Sequence, residues 1–151
     1  MRILYVSQYF PPEMGAPAAR VSQLSRAWAH RGHDVTVLTG FPNHPTGRVR
    51  PGYRGKMWRL ATSEDDAGVR VLRTWLLPAA NRGKILRSLN YLSFALSASV
   101  RGWLLRERFD WVVATSPQLL CGAAGDWLAR RKRSRFCLEV RDLWPEEIEA
   151  S

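Results

Sequence analysis

Residues 1–40 read MRILYVSQYFPPEMGAPAARVSQLSRAWAHRGHDVTVLTG. An apolar run from Ile3 to Tyr9, rich in β-branched and aromatic residues, stops at two prolines, which is typical of a buried strand. Beyond the following turn, apolar residues recur at helical spacing from Val21 to Trp28, and Gly32 stands where a helix cap is expected. Residues 35–39, VTVLT, predict a second strand. This order of strand, helix and strand predicts a βαβ unit with parallel strands.

The rest of the chain continues the alternation. The predicted strands are Val69–Trp75, Trp111–Ala114 and Phe136–Val140, and the predicted helices run from Ile85 to Trp103 and from Leu120 to Leu128. Glu64 to Asp66 is interpreted as an exposed turn, and Gly40 to Gly55 as an unusually long loop. The pattern predicts a single-domain α/β protein with a doubly wound, mainly parallel, Rossmann-like sheet. Ligands of such sheets bind at the carboxyl ends of the strands.

The composition excludes several classes of protein. With 151 residues, the chain has room for one domain, and its 46% hydrophobic and 24% charged residues exclude disorder. There are 23 Lys and Arg residues against 13 Asp and Glu, a net charge of +10, and such a basic protein attracts polyanions. Because 20 of the 23 cations are Arg, a GC-rich genome explains part of this excess without any partner.

No motif indicates a cofactor or a metal. No GxGxxG follows a strand, residues 52–57 lack the spacing of a P-loop, and the three histidines have no matching carboxylate. Cys121 and Cys137 lack CxxC spacing and are interpreted as reduced core residues. The amino-terminal apolar run is too short for a signal peptide, and polar residues interrupt the apolar region from Leu89 to Leu105. We therefore expect a cytoplasmic protein without a membrane span.

Three candidate sites lie in loops after predicted strands. Gly15 precedes a helix whose amino-terminal N–H groups can donate hydrogen bonds to a phosphate, although a plain turn gives the same pattern. His44 lies in the segment FPNHPTG, residues 41–47, where it either supports the loop or contacts a substrate. Asp142 follows a buried strand beside Arg141 and either accepts a proton or holds hydroxyls, or else forms an ordinary ion pair or helix cap.

The cations are unevenly distributed. Arg82, Lys84 and Arg87 stand at the start of the longest predicted helix, where the helix dipole disfavours positive charge. One interpretation is docking on anionic lipid, and the favoured alternative is a core helix with a solvated basic face.

Four segments together resemble the amino-terminal domain of family 4 glycosyltransferases of the GT-B fold. They are Arg2–Ala16, Gly32–Thr39, Phe41–Gly47 and Val140–Glu146. The resemblance covers essentially the whole chain, and it is greatest to the bacterial L-fucosamine transferases of surface-polysaccharide synthesis. It implies a retaining, metal-independent transfer between a nucleotide-sugar donor and a lipid-linked or saccharide acceptor, in a cleft between two Rossmann-like domains.

The resemblance also assigns residues. Gly15 and Ala16 would present amides to the donor diphosphate, and the loops around His44, Ser116 and Asp142 would line the acceptor side, with Asn43 and Arg141 beside them. From its place after a buried strand, Asp142 is also the catalytic candidate. Thr115 and Ser116 stand where some relatives have a catalytic His, so that role is not transferred.

The resemblance further implies a second, donor-binding domain that these 151 residues do not contain. We expect an acceptor-side fragment with little activity by itself, peripheral on the inner face of the cell membrane. The competing hypothesis is a small basic binding module for nucleic acid or anionic membrane. No nucleic-acid-binding signature is present, so we predict no nucleic-acid partner.

Overall fold

The computed structural model describes residues 1–57, 62–79, 83–116 and 119–141. Within them, the strands are β1 (Arg2–Val6), β2 (Asp34–Gly40), β3 (Thr62–Asp66), β4 (Val69–Thr74), β5 (Trp111–Thr115) and β6 (Arg135–Glu139). The helices are α1 (Ala16–His30), α2 (Lys84–Leu104) and α3 (Leu119–Lys132), and a 3₁₀ helix spans Pro51–Lys56.

The six strands form one sheet in the order β3-β4-β2-β1-β5-β6. All neighbouring pairs are parallel except β3 and β4. Successive side chains of β1 point to opposite faces, so that Leu4 and Val6 join a core with α2 and α3 while Ile3 and Tyr5 join a core with α1. Helices therefore cover both faces, which confirms the predicted doubly wound, mainly parallel α/β class.

The prediction of an exposed turn at Glu64–Asp66 is wrong. These residues belong to the antiparallel edge strand β3, and the turn follows at Ala67 and Gly68, both of which have positive φ angles of 54° and 81°. An edge strand has one side free for water, so acidic side chains are compatible with it.

The helix predicted from Ile85 to Trp103 is present, but its apolar stripe does not face the core. The stripe residues, which are between 43% and 77% exposed, are Ile85, Leu89, Leu92, Leu96, Val100 and Trp103. The buried residues of α2 are mostly small, namely Asn90, Phe94, Ala95, Ala98 and Gly102. The favoured interpretation of a core helix with a solvated basic face is therefore wrong, because the face turned to solvent is largely apolar.

Both cysteines are free, but only one is buried. Cys121 packs under β1, and burial raises the pKa of its thiol to about 12. Cys137 is exposed on β6, so its assignment to the core is wrong.

Candidate functional site

The chain reverses its winding direction between β1 and β5. From β1 the chain passes through α1 to β2, and from β5 it passes through α3 to β6 in the opposite direction. The loops at the carboxyl ends of β1 and β5 therefore lead away from each other. Open α/β sheets bind their ligands in the crevice between two such loops. The loop after β1 contains Glu13 and Gly15, and the loop after β2 contains His44.

Glu13 ties these two loops together. Its Oε1 atom accepts hydrogen bonds from the backbone N–H groups of Asn43 at 2.8 Å and His44 at 2.9 Å. Glu13 is only 6% exposed, and burial raises the pKa of its carboxyl group, although these hydrogen bonds and the charge of Arg73 act in the opposite direction. A buried carboxylate thus fixes the position of the loop that carries His44.

A cavity of about 100 Å³ lies between the two loops, and His44 and Gly15 both line it. Its remaining lining residues are Tyr9, Glu13, Met14, Pro17 and Ala18. The His44 ring meets the Tyr9 ring edge-on, with centroids 5.5 Å apart. The φ angle of Gly15 is +139°, which an L residue adopts only under strain, and no side chain caps α1. The cavity therefore joins a half-buried imidazole to an uncapped helix start, a combination that suits a hydroxyl-bearing anionic ligand.

A second, narrower cavity lies on the other side of His44. It is lined by Tyr9, Asn43, His44, Ala79, Arg87, Asn90 and Tyr91. Asn90 is buried, accepts a hydrogen bond from Gln8 Nε2 at 2.5 Å and donates one to the Leu77 carbonyl at 2.6 Å. The first turns of α2 are thereby held against the candidate site.

The buried residue Arg73 forms hydrogen bonds that hold the same loops in place. It is 1% exposed, and its guanidinium donates hydrogen bonds to Glu64 at 3.0 Å, to the Gly40 carbonyl at 3.3 Å and to the Pro11 carbonyl. Its guanidinium carbon also lies 4.9 Å from the centroid of the Tyr53 ring. One buried cation therefore links β3 and β4 to the loops after β1 and β2.

Ser116 and Arg141 meet at the carboxyl ends of β5 and β6. Ser116 Oγ accepts a hydrogen bond of 2.8 Å from the backbone N–H of Arg141. Beside them, Glu139 accepts hydrogen bonds from Tyr5 and from Arg20 of α1. Burial alone would raise the pKa of Glu139, but these hydrogen bonds outweigh it and hold the pKa below its ordinary value. The bond from Arg20 connects the first turns of α1 to this second group of residues.

The structure separates the predicted site residues into groups. His44 and Gly15 share one cavity, with Ala16 at the adjoining helix start, while Ser116 and Arg141 form a second pair. Asn43 is 4% exposed and donates its side-chain N–H to the Phe41 carbonyl, so its amide is committed to the loop.

The predicted basic residues also divide. Lys84 and Arg87, both predicted for a membrane surface, are exposed, and Arg87 also lines the narrower cavity. Asp142 and Arg82 lie outside the described residues.

Sequence reasoning does not identify four residues near the candidate site. They are Tyr9, Glu13, Asn90 and Glu139. Of these, only Glu13 had a signal in the sequence. It is a carboxylate within a proline-rich turn directly before a helix, a position that favours a structural role over simple exposure to solvent.

The part of the chain that the structure describes contains no group of three or more His, Cys, Asp or Glu residues placed to hold a metal ion. A larger groove of about 760 Å³ lies at the opposite edge, among the amino ends of the strands. Its cationic lining residues are Arg106, Arg108, Arg131, Lys132, Arg133 and Arg135, and we call it the amino-edge groove.

The glycosyl transferase 4-like domain matches residues 15–150 of this chain. The chain belongs to the glycosyl transferase 4-like family. A curated relative from Escherichia coli (strain K12), WcaI, named as a colanic acid biosynthesis glycosyl transferase, is 26% identical over 147 residues. That match takes in 94% of this chain and 34% of WcaI, so the chain spans about a third of its relative's length.

The fold itself also occurs outside the glycosyl transferase 4-like family. The crystal structure of the C-terminal domain of PF1911 hydrogenase from Pyrococcus furiosus matches with a TM-score of 0.57 at 14% identity, covering 91% of this chain and 89% of the other. At this identity the likeness concerns the fold alone, so the function must be argued from the site and the family.

Proposed function

We propose that this domain forms the acceptor side of a sugar-transferring cleft of the GT-B type, which takes a sugar from a nucleotide-sugar donor. The observation that carries the proposal is the cavity shared by His44 and Gly15 at the carboxyl edge of the sheet. Membership of the glycosyl transferase 4-like family supplies the reaction class. The half-buried imidazole can bind an acceptor hydroxyl, and the adjoining helix start favours negative charge.

In this proposal, the backbone N–H groups at Gly15 and Ala16 bind the donor diphosphate as it departs. Donors held in place before the reaction stabilise the charge that develops on a leaving group. The positive φ of Gly15 and the uncapped start of α1 support this role. His44, Ser116 and Arg141 would contact the acceptor, with Asn43 fixing the loop, and Asp142 remains the proposed catalytic carboxylate.

We further propose that the donor is held in part by residues outside these 151. The chain spans only 34% of WcaI, and a departing diphosphate must be stabilised from more than one side. We therefore expect turnover by this chain alone to be negligible. Robust sugar transfer by the isolated chain would contradict the division of the site that we propose.

The acceptor proposed here is a lipid-linked saccharide in surface-polysaccharide synthesis, met at the inner face of the cell membrane. The name of WcaI refers to colanic acid biosynthesis, and α2, which lines the narrower cavity with one side, exposes an apolar face on its other side. Both observations favour an acceptor with an apolar anchor.

A binding experiment tests this proposal. The chain is titrated with a short-chain polyprenyl diphosphate monosaccharide while amide chemical shifts are followed by NMR. We expect the largest shifts at Tyr9, Gly15 and His44, and about 10-fold weaker binding in His44→Ala, since one hydrogen bond to the acceptor hydroxyl is lost. His33→Ala is the matched control, because His33 lies in the turn after α1 at the opposite edge. Equal weakening in both variants, or shifts confined to the amino-edge groove, would reject the proposed site.

A further inference from the structure

We infer that the exposed face of α2 docks on an anionic lipid bilayer. The stripe of Ile85, Leu89, Leu92, Leu96, Val100 and Trp103, called here the α2 stripe, runs along one side of the helix. It extends for about 27 Å at the rise of an α-helix. An apolar surface of this size on a water-facing helix indicates an interaction site.

The charges around the α2 stripe identify the occupant. No Asp or Glu occurs between Asp66 and Glu107, so α2 has no acidic residue. Lys84 and Arg87 stand at its first turn, where the helix dipole opposes them. The amino-edge groove lies beyond its last turn, and its lining remains basic because six cations outnumber two acids, Glu107 and Asp110. An apolar stripe between two basic ends is complementary to a surface of apolar tails and anionic headgroups.

The same charges argue against pairing of two copies through this face. In a two-fold arrangement with antiparallel helices, the basic start of each α2 would oppose the basic groove of the other copy. In a parallel arrangement, Lys84 of one copy would face Lys84 of the other copy. Like charges therefore meet in either case, and this destabilises a dimer but not contact with anionic lipid.

The placement of α2 gives the docking a functional consequence. Arg87, Asn90 and Tyr91 of α2 line the narrower cavity together with His44. These three residues lie on the side of α2 opposite the stripe, so a bilayer against the α2 stripe would lie about one helix diameter, about 10 Å, from this cavity. The acceptor headgroup could then reach His44 while its lipid anchor stayed in the bilayer. The docking itself rests on α2 alone and does not require the proposed transfer.

Co-sedimentation with vesicles tests the inference. We expect the chain to bind vesicles of phosphatidylcholine with phosphatidylglycerol, to bind poorly to phosphatidylcholine alone, and to be released by salt. The triple variant Ile85→Ser/Leu92→Ser/Leu96→Ser should bind at least about 20-fold more weakly, because each side chain loses apolar contact with the bilayer. Val140→Ser is the matched control, since Val140, directly after β6, is 58% exposed and Leu96 is 60% exposed. Circular dichroism checks that every variant folds.

A second variant keeps the test decisive if the triple variant unfolds. Lys84→Gln/Arg106→Gln changes one cation at each end of the α2 stripe and should weaken binding by about 25-fold, at about 5-fold for each cation. The charge-matched control is Arg31→Gln, placed after α1 on the other face of the sheet.

Equal binding to both vesicle types would overturn the inference, as would unchanged binding of folded stripe variants. A dimer that the triple variant abolishes, seen by sedimentation velocity, would also overturn it in favour of a second copy. The vesicles contain neither donor nor acceptor, so either result leaves the proposed sugar transfer to its own test.

Discussion

Glu13 and His44 are 31 residues apart in the chain, yet a Glu13 carboxylate oxygen accepts the backbone N–H of His44 at 2.9 Å. The same oxygen accepts the N–H of Asn43 at 2.8 Å. The loop after β2 is thus held to the loop after β1 by one buried atom. Since His44 lines both cavities of the candidate site, the shape of the site depends on this carboxylate.

We expect Glu13→Ala to destabilise the fold more than Glu13→Gln. Alanine leaves two buried N–H groups without an acceptor, at about 1–3 kcal/mol each, so the free energy of unfolding should fall by about 2–6 kcal/mol. Glutamine retains an oxygen in the same place and should lose less. Urea unfolding measures both values. Equal losses in the two variants would mean that the acceptor oxygen is unimportant.

The raised pKa of Glu13 predicts a pH dependence. The folded protein binds this proton more tightly than the unfolded chain, so the stabilising contribution is complete below the ordinary value of 4.5 and is lost as the pH rises through the folded pKa. The free energy of unfolding of the wild type, taken relative to Glu13→Gln, should therefore decrease as the pH rises above 4.5. Urea unfolding across this range checks the sign. A difference that stays constant or grows with pH would refute it.

Arg73→Met should cost about 3–5 kcal/mol of unfolding free energy, because it leaves Glu64 and two carbonyl groups without their buried cation. Arg70→Met is the matched control from the same strand. The ion pair of Arg70 with Glu107 is 37% and 41% exposed, so water screens it and the pair contributes only about 0–1 kcal/mol. Similar losses in the two variants, measured by chemical denaturation, would contradict the importance assigned to burial.

Two glycines of α3 should respond differently to the same substitution. A Cβ atom at Gly125 would lie 2.6 Å from Ala114 Cβ, whereas one at Gly122 would lie 3.1 Å from the flexible end of Leu138. We expect Gly125→Ala to destabilise by about 1–3 kcal/mol through overpacking. Gly122→Ala should be neutral or stabilising, because alanine favours helix by about 1 kcal/mol. Thermal unfolding compares them, and a stabilised Gly125→Ala would show that α3 can move away from β5.

The fold class could be predicted because periodicity identifies which segments are strands and which are helices. It could not identify the face of α2 that meets the sheet. The sheet-facing side carries Ala95, Ala98 and Gly102, whose small side chains allow close packing, whereas the larger leucines point outward. Strand β3 was missed for a related reason, since TSEDD lacks the β-branched and aromatic residues that indicate strands.

The candidate site could be predicted in part. Parallel strands bring their carboxyl ends to one edge, so Gly15 and His44 were expected near each other, and the structure places both on one cavity. The role of Glu13 arises from contacts with a loop 30 residues away, and no local pattern indicates such a contact. Asn90 is similar, because its partner Gln8 lies 82 residues earlier in the chain.

The acidic strand β3 has a consequence for behaviour at high concentration. Its outer backbone groups are those with which a neighbouring molecule would pair during fibril growth. Glu64 and Asp66 are paired with Arg73 and Arg26, whereas Asp65 is exposed. Two molecules approaching border to border would therefore bring the negative charges of their Asp65 side chains together. A protein rich in exposed leucine thus retains protection against ordered self-assembly along one side.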